Sequence, residues 1–129
     1  MDSSIWIEYL RRRPGPAVAR FDALVESNVP FAITPVILQE ILQGARSATE
    51  FHALSENLLS QRLIYPLEPI ASYASAAEIY FRCRRAGITP RSSTDCLIAQ
   101  IAIDNNAVLL HNDTDFDRIS KVVPELMIY

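Results

Sequence analysis

Four short apolar runs punctuate this chain: "FAI" at Phe31 to Ile33, "RLIY" at Arg62 to Tyr65, "AVLLH" at Ala107 to His111 and "LMIY" at Leu126 to Tyr129. Each is separated from the next by residues with helical apolar spacing or helix-stop signals. Strands joined through helices are parallel, because a parallel pair needs a long crossover that a tight turn cannot supply. Short, continuously apolar strands also read as buried on both faces. The pattern therefore predicts an α/β fold, a three-layer α/β/α sandwich with a mostly parallel central sheet. In such sheets ligands bind at the carboxyl ends of the strands.

The helices follow from caps and breakers. Ser3 or Ser4 caps a first helix through Leu10, ended by the arginine run and Pro14, and Pro16 opens a second that reaches Asn28 with Val18, Phe21, Leu24 and Val25 as its stripe. Thr34 and Pro35 read as N-cap and first position of a helix that stops at Gly44. Phe51, Leu54 and Leu58 mark a helix over Ser47 to Ser60. A long helix from Ile70 to Ala86 places Ile70, Tyr73, Ala77 and Tyr80 on one apolar face and stops at Gly87, so Tyr73, Tyr80 and Phe81 read as core rather than as a base-stacking platform. Thr94 caps the buried helix "DCLIAQIAIDN", and "DFDRISKV" is a short helix before the last strand.

The chain of 129 residues, half of them apolar, suffices for one core, so residues 1–129 are expected to form a single domain. No apolar run is long enough to span a bilayer and no basic leader precedes one, which points to a cytoplasmic protein. Cys83 and Cys96 lack metal-ligand spacing and read as buried free thiols. The net charge of −3 excludes a protein that coats nucleic acid by overall charge. The basic residues are nonetheless unevenly placed: only Lys121 is a lysine, and arginines gather as Arg11, Arg12, Arg13 and as Arg82, Arg84, Arg85, Arg91. Arginine's planar fork suits phosphate, so these clusters mark a candidate polyanion track as well as ordinary solvated helix ends.

Four acids fall at or near the strand-end rim: Asp2 before the first helix, Glu40 on the helix after the first strand, Asp95 at the start of the buried helix and Asp113 after the third strand. Carboxylates gathered there repel one another unless a cation lies among them, and an all-oxygen donor set favours Mg2+ or Mn2+. Each acid also has a structural reading. Asp95 fits a helix cap, and Asp113 and Asp115 fit a turn or N-cap. Glu40, between "VIL" and "IL", is costly on an apolar helix without a partner. Asp117 points to solvent by helical spacing, and His111 reads as a strand-end histidine with a satisfied hydrogen bond.

Taken together and in order, "DSSIWIEYL", "TPVILQEILQG", "TDCLIAQIA" and "LLHNDTDF" resemble the signature of PIN-domain ribonucleases, and more narrowly the VapC toxins of bacterial toxin–antitoxin pairs. The resemblance covers nearly the whole chain. It implies a magnesium- or manganese-dependent endoribonuclease that forms a homodimer and is inhibited by a cognate antitoxin. Carried over by motif, the catalytic acids are Asp2, Glu40, Asp95 and Asp113, with Asp2, Asp95 and Asp113 on the metal, Ser4 as a polar helper and Asp115 as an auxiliary acid. RNA, single-stranded or looped, is the expected substrate, because its backbone can bend into a carboxylate-lined cleft.

The chain departs from that family in one respect. Only Met1 precedes Asp2, where relatives carry a central strand, so the first strand is expected to be missing or truncated. That departure keeps open a catalytically impaired binding module that mainly pairs with an antitoxin or RNA. A phosphate-receiving signalling domain also clusters aspartates around magnesium, but it needs a lysine at a strand end, and Lys121 follows "RIS" in a helical stretch.

Overall fold

Among the described residues the strand pairing is parallel, with one ladder in each of two units. The computed structural model describes Ala19, Asp22, Ala23, Glu26 and residues 31–111 and 114–128. Its elements are β1 (Ala32–Ile33), α1 (Pro35–Gln43), α2 (Ala48–Leu59), β2 (Arg62–Leu63), α3 (Pro69–Arg85), α4 (Ser93–Asp104), β3 (Val108–Leu109), α5 (Thr114–Val122) and β4 (Met127–Ile128). The chain divides into two compact units, Met1–Ile64 and Tyr65–Tyr129. The helix expected over Ser3 to Leu10 and the missing or truncated first strand lie outside the described residues. Of the helix expected from Pro16 to Asn28, the described Ala19, Asp22, Ala23 and Glu26 are helical and exposed.

In the first unit β1 and β2 are parallel, with Ala32 opposite Arg62 and Ile33 opposite Leu63, and the ladder continues through the Ile64 N–H to the Ile33 carbonyl at 3.0 Å. The crossover is α1 and α2. Thr34 caps α1 as its sequence predicts: its extended backbone aims the hydroxyl at the Ile37 N–H, 3.2 Å away, and Pro35 occupies the first turn, where an N–H would find no partner. Ser47 caps α2 by the same device, 3.1 Å from the Glu50 N–H. Gly44 ends α1 at φ −84°, a conformation open to any residue, so this stop does not depend on glycine. Ile33, Ile37, Ile41 and Leu58 are buried, each contributing roughly 1.5–3 kcal/mol of apolar transfer. Phe51 is exposed, so the expected stripe of α2 is buried only at Leu58.

In the second unit β3 and β4 are parallel, with Val108 opposite Met127 and Leu109 opposite Ile128, and α5 is the crossover. The longest helix, α3, packs on α4. Here the structure corrects the expected face. Ser72, Ala76, Ile79 and Cys83 are the buried row of α3, whereas Ile70 is 88% exposed, Tyr73 57% and Phe81 59%. Small residues face inward because α4 is apolar nearly all round, with Cys96, Ala99 and Ala102 among its buried positions, and two such helices can approach closely. Larger rings on that row would hold them apart.

Helix ends are closed twice by the same motif. After α3, Gly87 at φ +80° lets the Ile88 N–H reach the Cys83 carbonyl at 2.8 Å and its own N–H reach the Arg84 carbonyl at 3.1 Å. After α4, Asn106 at φ 51° does likewise, with the Ala107 N–H 2.8 Å from the Ala102 carbonyl. The helix α4 is capped by Ser92, whose hydroxyl accepts from the Thr94 N–H at 3.0 Å, and not by Thr94 as the sequence suggested.

Asp104, on the last turn of α4, gathers the start of α3 onto α4. Its carboxylate accepts from the Ser72 hydroxyl at 2.5 Å, the Leu67 N–H at 3.1 Å and the Gln100 amide at 2.8 Å. Burial disfavours its charged form, but these three bonds outweigh that and hold the carboxyl below its ordinary value. A depressed carboxyl contributes stability above its unfolded pKa of about 3.9, and that contribution is lost as pH falls through the folded value. Replacing Asp104 by Ala is expected to cost about 1–2 kcal/mol at pH 7 in urea unfolding, with the gap from wild type closing as the pH is taken below about 4.

Candidate active site

The sequence-predicted acids are distributed as follows. Glu40 is the sixth residue of α1 in the first unit, half-buried between Ile37 and Ile41. Asp95 is the third residue of α4 in the second unit, also half-buried. Asp115 is the second residue of α5. Asp2, Ser4 and Asp113 lie outside the described residues.

Asp95 does not occupy the N-cap position that the sequence suggested. Ser92 makes the cap bond, so the Asp95 carboxylate is not the N-cap, and the first turn of a helix favours its negative charge. Its charge is felt next door. The Cys96 thiol is pushed up to about 12, first by burial, then by the nearby Cys83 and by Asp95. Burial also raises the Cys83 thiol, despite the adjacent Arg82 guanidinium. Both thiols are buried and free, as expected, and burial favours their protonated form near neutral pH.

Beside the carboxyl end of β3 the side chains interlock. His111 is buried, with Nε2 3.3 Å from Asp117 Oδ1 and its ring 5.4 Å from that of Phe116. This agrees with a satisfied strand-end histidine, and Asp117, although exposed, is the group opposite it. Asp115 is only 2% exposed, unusual for a carboxylate. Its Oδ2 accepts from Arg91 twice, from Nε at 3.1 Å and from the backbone N–H at 3.3 Å, and Arg118 Nη1 lies 3.7 Å from Oδ1. The segment leading into α4 is thereby tied to the first turn of α5, one helical turn of sequence away from Asp95.

The arginine cluster read from the sequence is not one surface. Arg82 donates to the Val122 carbonyl at 3.0 Å and pairs with Glu125 at 3.7 Å, so it serves the C-terminal segment. Arg85 stacks over Phe81, 5.7 Å from the ring centroid. Only Arg91 joins the acids. No sequence signal links it to Asp115, because the two are 24 positions apart.

With this geometry in view, the relationships of the chain are informative. A family profile described as "PIN domain" matches residues 1–122, and the chain belongs to the PIN-domain family. Ribonuclease VapC11 of Mycobacterium tuberculosis and VapC ribonuclease Mb1587 of Mycobacterium bovis are each 36% identical to it over 123 residues, covering 95% of this chain and 91% of theirs. Among solved structures, VapBC2 from Rickettsia felis bound to a DNA fragment from their promoter superimposes with a TM-score of 0.74 at 23% identity, over 98% of this chain and 93% of that one. FitAcB from Neisseria gonorrhoeae gives 0.67 at 20% identity, over 99% and 94%. The fold is thus the PIN fold, helix-rich α/β with parallel strands.

The Asp115 pair is asymmetric, since Arg91 is 73% exposed and the carboxylate is not. Removing the arginine leaves a buried charge short of a partner, whereas neutralising the acid releases Arg91 to water. Arg91→Ala is expected to cost about 2 kcal/mol in urea unfolding, less than a fully buried pair because Arg118 remains, and Asp115→Asn about half as much.

Proposed function

We propose that this chain is the toxin of a toxin–antitoxin pair, a divalent-metal-dependent endoribonuclease that hydrolyses RNA phosphodiester bonds, with residues 1–129 acting as one PIN domain. The observation that carries the reading is the 36% identity to VapC ribonucleases across 95% of the chain. Among the described residues no helix is long and apolar enough to cross a membrane, in keeping with a cytoplasmic site of action.

The proposed catalytic acids are Asp2, Glu40, Asp95 and Asp113, with Ser4 and Asp115 auxiliary. Among the described residues no three histidine, cysteine or acidic side chains form a metal site, so Asp95 would need Asp2 and Asp113 beside it. The donor chemistry fits Mg2+ or Mn2+, because the proposed acids offer only oxygen donors. When bound, a divalent ion supplies a Lewis acid for the phosphate and an activated water. The chain's own residues would orient the reactants: Glu40 or Asp95 would help orient the attacking water, and Asp115 holds the loop before α4 through Arg91. No covalent nucleophile is required. Substitution of Asp95 by Asn is expected to lower magnesium-dependent cleavage of single-stranded RNA by about a hundredfold or more with folding intact. Antitoxin capture and metal titration complete the test. A wild-type chain that captured the antitoxin but bound no metal and cut no RNA would instead be the impaired binding module.

The partners are RNA, a cognate antitoxin and a second copy of the chain. The homodimer reading is supported by the exposed face of α3, where Ile70, Tyr73, Ala77, Phe81 and Arg84 recur at three- and four-residue steps. The row is self-complementary about Ala77. In an antiparallel pair Tyr73 of each copy meets Phe81 of the other across the small Ala77, and exposed Glu68 approaches Arg84 and Arg85. Phe81→Glu should convert the dimer to monomer in sedimentation velocity while leaving the melting temperature of the monomeric fold nearly unchanged.

A further inference from the structure

We propose that Asp115 is a positioning residue for Asp95: by holding the backbone at Arg91 it sets the first turn of α4, and it serves the metal site without binding the ion itself. The proposal rests on the ribonuclease reading and names a residue on which the same site depends. The sequence groups Asp115 with the acids, and the structure shows what its charge faces. Oδ2 accepts from Arg91 Nε at 3.1 Å and from the Arg91 backbone N–H at 3.3 Å, Arg118 Nη1 stands 3.7 Å from Oδ1, and the carboxylate is 2% exposed. A divalent cation brought to a carboxylate that already faces two guanidinium groups meets repulsion as well as attraction.

What the carboxylate holds matters more than its charge. The bond to the backbone N–H pins residue 91 itself, where a pairing of side chains alone would leave the main chain able to shift. Ser92 follows directly and caps α4 through the Thr94 N–H at 3.0 Å, and Asp95 is the third residue of that helix. A pinned amide, a cap and a helical turn thus run without a break to the proposed metal ligand. The far end of the tie is the first turn of α5, the element after β3, so α4 is set against the strand end where parallel α/β folds place their ligands. Such a tie counts most before a cation arrives. Carboxylates gathered at a rim repel one another, and they keep a binding geometry only where the backbone that carries them is held.

The test titrates Mn2+ into the full chain by calorimetry, at a temperature where the circular dichroism of each variant matches wild type. Arg91→Ala removes no acid, and by charge alone the loss of a cation beside a cation site tightens binding. A broken tie has the opposite sign. Arg91→Ala should weaken Mn2+ binding about tenfold, Asp115→Asn by a similar factor, and the double variant should be within about twofold of either, because both cut one link. Arg118→Gln leaves the Arg91 bonds in place and should bind Mn2+ at least as tightly as wild type. Arg91→Lys, whose ammonium can reach the carboxylate, should recover most of the affinity, and Arg91→Gln stands in if the alanine variant does not fold. In cleavage of a short single-stranded RNA, excess Mn2+ should return kcat of Arg91→Ala to within about threefold of wild type, whereas Asp95→Asn stays impaired. Three results would each overturn the proposal while leaving the ribonuclease reading intact: unchanged or tighter binding in Arg91→Ala, losses that multiply in the double variant, or an equal loss in Arg118→Gln. A wild-type chain that bound no Mn2+ and cut no RNA would overturn both.

Discussion

Parallel strands cannot be closed by a turn, so each ladder exists only through the helices that carry the chain back to its start. Among the described residues each ladder pairs two residues of one strand with two of the next, and two-stranded sheets by themselves are marginal in water even at greater length. The order of the molecule therefore rests on its crossovers: α1 and α2 between β1 and β2, and α5 between β3 and β4. This explains the investment in helix ends, where Thr34, Ser47 and Ser92 satisfy first-turn N–H groups and Gly87 and Asn106 satisfy last-turn carbonyls.

Carboxylates divide into two kinds of work. Asp104 and Asp115 are committed to the fold: one collects three donors and joins the start of α3 to the end of α4, and the other joins the approach to α4 with the start of α5. Together they fix both ends of α4, the helix that bears Asp95. The ribonuclease chemistry proposed for Asp95 depends on that framework, which fixes the helix that carries it. Ser92 takes the capping role, three residues earlier.

Much of the local structure was legible in the sequence because local chemistry decides it. Thr34 before Pro35 specifies a cap and a first turn whatever surrounds them, and a glycine after a long amphipathic run specifies a left-handed exit, as Gly87 does. The face of α3 was misread for the opposite reason. Ile70, Tyr73 and Tyr80 are bulky apolar residues, yet burial went to Ser72, Ala76, Ile79 and Cys83, on the helix that packs against α4. The cap of α4 was displaced by two residues, since Ser92, Ser93 and Thr94 are chemically equivalent candidates and only the path of the chain chooses among them.

For the candidate site, the four motifs identified the family, and the acids within them carry the proposed chemistry. The sequence by itself determined that helices alternate with short strands paired in parallel fashion, and it located the Thr34 cap and the Gly87 exit, all consequences of spacing and short-range hydrogen bonding. Only the tertiary structure decided that Arg91 belongs with Asp115, that Arg82 does not belong to the same surface, and that Tyr73 and Phe81 face solvent. Those outcomes depend on pairings between residues tens of positions apart, whose energies exist only once the backbone has brought them within a few ångströms.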